Sequence, residues 1–96
     1  MSQYAKPRIY ADFNKWDGDD AKTWLILTCR GTFNDLAQLK IKFTEGLEAI
    51  FYCEDEDQFG RSVDLEADGC VHYDGDKKYW VAVVDFSLTR QSPRGG

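Results

Sequence analysis

Residues Val63 to Phe86 constrain the fold more than any other stretch of this chain. Two β-rich runs flank the polar segment Asp74-Gly75-Asp76-Lys77-Lys78, a connection of hairpin length. Asp74-Gly75 suits a backbone that visits positive φ, which Gly tolerates and Asp accepts better than most residues. Before the turn, Val63, Leu65, Ala67, Gly69, Val71 and Tyr73 alternate with Asp64, Glu66, Asp68, Cys70 and His72. A period of two places the first set on one face and most of the charge on the other. Gly69 interrupts the run, and a glycine there predicts a bulge or a sharp bend. After the turn, Trp80, Ala82, Val84 and Phe86 share one face, and Tyr79, Val81, Val83 and Asp85 share the other. A strand apolar on both faces belongs in the middle of a sheet or inside a closed barrel.

The remaining elements are shorter. Ile9–Asn14 alternates and predicts a first strand; Asp17-Gly18-Asp19-Asp20 predicts a turn. Thr23–Cys29 predicts a second strand, with Leu25, Leu27 and Cys29 opposite Trp24, Ile26 and Thr28. A short connection favours an antiparallel hairpin between these two. Thr32 or Asn34 can cap a helix of about two turns, with Asp35 in its first turn and Leu36, Leu39 and Phe43 on one side. Leu47–Cys53 predicts a third strand with Leu47, Ala49, Phe51 and Cys53 facing inward. Glu54–Arg61 predicts an acidic loop, and residues 1–8 and 89–96 predict loose ends. The expected fold is mainly β: one domain over residues 1–96, a small five-stranded, partly closed barrel with one short helix. The alternative is an α+β roll with the helix across an open sheet.

Short motifs carry a resemblance. Tyr10-Ala11-Asp12-Phe13-Asn14, Gly31-Thr32 with Asp35-Leu36, Glu45-Gly46-Leu47, and Trp80-Val81-Ala82 followed by Asp85 resemble a family of small uncharacterised bacterial proteins. Glu45-Gly46-Leu47 with its following strand, acidic loop and Trp-containing strand also looks like an SH3-like barrel of the type seen in translation-associated domains. That likeness implies a fold and assigns no catalytic residue.

Charge narrows the function. Twelve Lys and Arg against seventeen Asp and Glu give a net charge of −5. This argues against a DNA binder, which needs clustered cations. No apolar run reaches the roughly 20 residues of a membrane span, and no secretory h-region precedes Pro7. Three unpaired-looking cysteines, Cys29, Cys53 and Cys70, read as reduced thiols, so the expected location is cytoplasmic.

No catalytic constellation, metal site or cofactor motif is expected. Asp64, Glu66, Asp68 and Gly69 match early positions of a calcium loop, but Gly75 stands where a bidentate Glu is needed. A solvated strand face is the stronger reading. Cys29, Cys53, Cys70 and His72 are four soft ligands without structural-zinc spacing. The single histidine, His72, has no recognisable triad partner. Aromatic residues make up 15% of the chain, more large rings than a small core needs. The candidate binding residues are therefore Trp16, Tyr73 and Tyr79, with the acidic run Glu54, Asp55, Glu56 and Asp57.

The expected role is a non-enzymatic interaction module for another macromolecule, a protein first. One alternative is an RNA- or ribosome-associated barrel using Lys6, Arg8, Arg90 and Arg94. Others are an acidic cation-binding domain and a carrier ending in Gly95-Gly96.

Overall fold

One 13-residue strand, β5 (Ser62–Asp74), is the spine of the computed structural model. The structure describes residues 6–18 and 23–93. Along one side of β5 runs β4 (Glu48–Glu56), antiparallel and in unbroken register from Glu48↔Cys70 to Glu56↔Ser62. The other side is shared by two strands placed end to end. β6 (Tyr79–Val84) pairs with Gly69–Asp74, and β7 (Arg90–Pro93) pairs with Val63–Glu66. Between β6 and β7 the chain leaves the sheet through one 3-10 turn, Phe86–Leu88. β3 (Thr23–Ile26) pairs with β6, and β2 (Trp16–Gly18) pairs with β3. β1 (Arg8–Tyr10) lies parallel to β4. The order is β1-β4-β5-β6-β3-β2, with β7 added to β5.

The fold is therefore mainly β with one helix, but the expected five-stranded barrel is corrected. Among the described residues the sheet has seven strands and is not closed, since β1 and β2 stand at its two ends. The first hairpin is also corrected. β1 does not pair with β3; it crosses to β4 in parallel, which needs the long connection that β2, β3 and the helix provide. Asp17 and Gly18 belong to β2 rather than to a turn, while Asp19 and Asp20 lie outside the described residues. The tail is ordered through β7, because its backbone completes the β5 ladder where β6 has ended. Arg94-Gly95-Gly96 and residues 1–5 lie outside the described residues.

Face assignments follow the period-2 reading. Ile9, Leu25, Phe51, Val71 and Ala82 are fully buried on one face, and Leu27 continues their row. Phe51 sits between Ile9 of β1 and Ala67 of β5 in the cross-strand register. Gly69 makes no bulge; the ladder passes through it in both directions. Its reason is close approach. A Cβ there would lie 2.8 Å from Val84 Cγ1 and 2.9 Å from the Phe51 ring. Gly69→Ala is expected to cost about 1–3 kcal/mol, because overpacking outweighs the usual gain from replacing glycine in a strand. Urea unfolding reads this directly; an unchanged or higher midpoint would show that Phe51 and Val84 can move aside.

The helix α1 (Arg30–Leu39) is ten residues long, about a turn more than expected. It starts at Cys29 rather than at Thr32 or Asn34, since Thr32 and Asp35 turn to β1 instead of capping their own helix. It ends where Lys40 enters the left-handed region, with the amides of Lys40 and Ile41 returning to the carbonyls of Ala37 and Leu36. Leu36 is buried, but Leu39 is exposed; Phe43 reaches the core from the connection beyond the helix.

That helix also closes an edge. β1 bonds to β4 through Ile9, so the amide and carbonyl of Tyr10 point away from the sheet. Asp35 Oδ2 accepts the Tyr10 amide at 2.9 Å, and Thr32 Oγ1 donates to the Tyr10 carbonyl at 2.5 Å. Two helix side chains thus satisfy the groups that another strand would otherwise capture. Among the described residues no helix is long and apolar enough to cross a membrane.

Candidate functional site

The face of the sheet opposite the core divides into a charged half and an apolar half. Strand alternation and register set the division. Arg8 of β1 packs 4.4 Å from the Tyr52 ring centroid and donates to Glu66 at 2.7 and 3.0 Å and to Asp64 at 3.2 Å. Arg90 reaches Glu66 at 3.3 Å and Asp68 at 3.6 Å. Lys6 lies 3.7 Å from Glu48 and 3.9 Å from Asp68. Of the four basic residues expected to form a positive patch, Lys6, Arg8 and Arg90 meet around shared carboxylates, each bound to them, and Arg94 lies outside the described residues. Three cations face four acidic side chains, so this half of the face offers little free positive charge to phosphate. The same pairs occupy Asp64, Glu66 and Asp68, the residues that mimic a calcium loop.

On the apolar half, β3 contributes Trp24 and Ile26, while β6 contributes Tyr79, Val81 and Val83. β6 is the strand apolar on both faces, and it lies between β5 and β3. Its inner face joins the core. Its outer face forms the floor of a cleft of about 330 Å³ lined by Trp24, Ile26, Tyr79 and Val81. Register fixes the layout. Ile26 and Val81 are direct partners; Trp24 stands one row to one side, and Tyr79 one row to the other.

Each end of the cleft carries a carboxylate. Asp17 is the β2 partner of Trp24, and Asp74 is the β5 partner of Tyr79. Lys77 comes from the turn beside Tyr79, yet its Nζ donates to Asp17 Oδ2 at 2.7 Å. That bond, with the Gly18 amide, holds the Asp17 carboxyl below its usual range, and Asp17 in turn raises the Lys77 ammonium. Asp74 shapes the turn. Its Oδ1 accepts the amides of Asp76 and Lys77 at 3.0 and 3.1 Å, and its carbonyl accepts the Lys78 amide at 2.7 Å. The positive φ falls on Lys78 rather than Gly75.

The residues proposed from sequence do not form one site. Tyr79 lines the cleft. Tyr73 points to the core side of the sheet, edge-on to Trp80 at 5.1 Å, and is 47% exposed at the rim. Trp16, 51% exposed, shares the row of Leu25 on that same side. Glu54, Asp55 and Glu56 belong to the end of β4, where they line a shallow concavity with Ser62. Asp57 starts the loop and is engaged within it. Its Oδ1 accepts the amides of Arg61 and Phe59 at 2.9 Å, and its Oδ2 accepts the Arg61 guanidinium at 2.9 Å. These bonds, led by the Arg61 amide, keep its carboxyl below the usual range.

The soft ligands are likewise dispersed. Cys29 precedes α1 with Sγ 3.0 Å from Thr32 Oγ1, Cys53 lies on β4, and all three cysteines are free. Cys70 and His72 share the outer face of β5, where His72 Nδ1 bonds to Glu45. Among the described residues no three of His, Cys, Asp and Glu gather as metal ligands do.

Trp24, Ile26, Val81 and Lys77 are the site residues that sequence reasoning missed. Their signal is the two apolar faces of Tyr79–Val84: a strand in the middle of a sheet can still leave one apolar face open to a cleft. Comparison with protein-family models, with curated proteins and with solved structures finds no match to this chain.

Proposed function

We propose that this chain is a non-enzymatic binding module that holds a segment of another protein on the outer face of β3 and β6. One observation carries the reading: an aromatic-walled cleft of about 330 Å³ on the side of the sheet away from the core. Trp and Tyr supply large contact area with few rotatable bonds, which is why they anchor interfaces. The rings here stand on paired strands, and rigid elements hold a binding surface better than loops do. Cytoplasmic location fits the three free thiols.

The test is affinity capture from native lysate, with and without nuclease, using the wild-type chain, Trp24→Ala and Tyr79→Ala. Phe59→Ala on the distant β4–β5 loop is the control. The expected result is a defined protein that survives nuclease, is retained by the control and is lost from both cleft variants, with all four chains folded by circular dichroism. Retention by both cleft variants overturns the reading. Loss on nuclease treatment moves RNA association ahead of it.

A further inference from the structure

Lys77 shows what the cleft is chemically suited to hold. The residue leaves the turn at the Tyr79 end, but its ammonium rests on Asp17 at the Trp24 end. Trp24 and Tyr79 are two rows apart across the Ile26–Val81 pair, and strand residues rise roughly 3.3 Å each. Lys77 lines the cleft, and its ammonium ties the β5–β6 turn to β2. A long basic side chain can lay its aliphatic stem on an apolar surface while its charged head finds a carboxylate, and the head of Lys77 has found Asp17. Both members of the pair are about half exposed, at 50% for Lys77 and 59% for Asp17. An exposed pair of this kind is weak and exchangeable.

The electrostatics match that occupant. Two carboxylates, Asp17 and Asp74, face one ammonium at the cleft, and two aromatic rings flank its floor. Ring faces attract cations, most strongly for Trp and next for Tyr. An acidic chain of net charge −5 also draws a basic partner at long range. We infer that the segment bound in this cleft presents a Lys or Arg side chain, which lies between Trp24 and Tyr79 and takes the Asp17 carboxylate over from Lys77. The inference rests on the binding-module reading and names the chemistry of its partner. Lys77 is then a tethered competitor. It lowers the apparent affinity by the share of molecules in which it sits on Asp17.

The experiment uses the full chain labelled with ¹⁵N, following the indole N–H signal of Trp24, with those of Trp16 and Trp80 as internal references. The probes are acetyl-arginine amide and acetyl-norleucine amide, which share an aliphatic stem and differ in charge. The arginine probe is expected to shift Trp24 alone and to bind about tenfold tighter than the norleucine probe. Lys77→Ala is expected to tighten arginine binding several-fold, because the competitor is gone. Asp17→Asn is expected to abolish the preference for arginine. Raising the salt concentration is expected to weaken arginine binding and leave norleucine binding unchanged.

Equal affinity for the two probes overturns the cationic occupant and leaves the cleft as a binding surface. Weaker arginine binding in Lys77→Ala overturns the tethered-competitor role. If neither probe moves Trp24 even in Lys77→Ala, the inference fails outright. Loss of the captured protein on Trp24→Ala remains the separate readout for the module itself.

Discussion

Phe51→Ala is expected to lower the free energy of unfolding by about 3–5 kcal/mol, as buried phenylalanine truncations do. Among the described residues Phe51 is the largest fully buried side chain, at 0% exposure. It lies between Ile9 and Ala67 in the register, and its ring covers the backbone at Gly69. Ala49 and Ala67, which adjoin it along β4 and across β5, are too small to fill the space. Chains of this size have on the order of 5–15 kcal/mol of total stability, so the loss is a large share. The measurement is urea unfolding with the slope compared as well as the midpoint. A loss under about 1 kcal/mol would mean that the core is not organised around this ring. The paired substitution is informative too. Gly69→Ala is expected to cost less in the Phe51→Ala background than in the wild type, since the methyl group enters vacated space.

Asp35→Ala is expected to cost about 2–4 kcal/mol, because two donors lose one shared acceptor. Asp35 Oδ2 accepts the Tyr10 amide at 2.9 Å and the Tyr52 hydroxyl at 2.6 Å. Tyr52 provides a second readout. Its phenol is pushed up to about 12, first by burial and then by its hydrogen bond to Asp35. A group whose folded value lies above its unfolded value contributes stability in the protonated form. That contribution is complete below the unfolded value of about 10 and is lost as pH rises toward the folded one. Wild-type stability should therefore fall between about pH 10 and 12 by more than in Asp35→Ala. In the variant, absorbance titration should show Tyr52 ionising closer to its ordinary range. A variant that keeps both wild-type stability and the wild-type titration would show that Asp35 does not join α1 to β1. The same substitution uncovers the outer edge of β1, so increased self-association at high concentration is expected alongside.

The long hairpin was legible because its signal is local. Alternation from Val63 to Tyr73 and the doubly apolar run from Tyr79 set the faces, and the polar stretch between them set the register. The inward positions Ala49 and Phe51 were legible for the same reason. Pairing between distant strands was not. β1 and β3 are each too short to declare a partner, and proximity in sequence favoured a hairpin that tertiary packing replaced by a parallel pair. β7 was unreadable because Arg90–Pro93 has almost no apolar alternation; it forms through backbone bonds to β5 rather than through side-chain burial.

The candidate site was half legible. Tyr79 was legible as one of more large rings than a small core needs, and the cleft does include it. Tyr73, named on the same grounds, lies on the opposite side of the sheet, because the Asp74↔Tyr79 pair puts Tyr73 opposite Trp80. The acidic run Glu54–Asp57 was legible as charge, but whether such charge is available depends on its partners. Asp57 uses its carboxylate to close its own loop.

The amino-acid sequence by itself determined a mainly β chain, the central hairpin, the faces of its strands and an acidic net charge. Each follows from composition or from a period of two, and neither needs knowledge of distant neighbours. The tertiary structure alone decided that the sheet stays open, that α1 seals the β1 edge, and that Trp24, Tyr79, Asp17 and Lys77 meet at one cleft. The physical reason is that strand order and register are set by the summed fit of many weak contacts far apart in the chain. No local window of residues holds that sum.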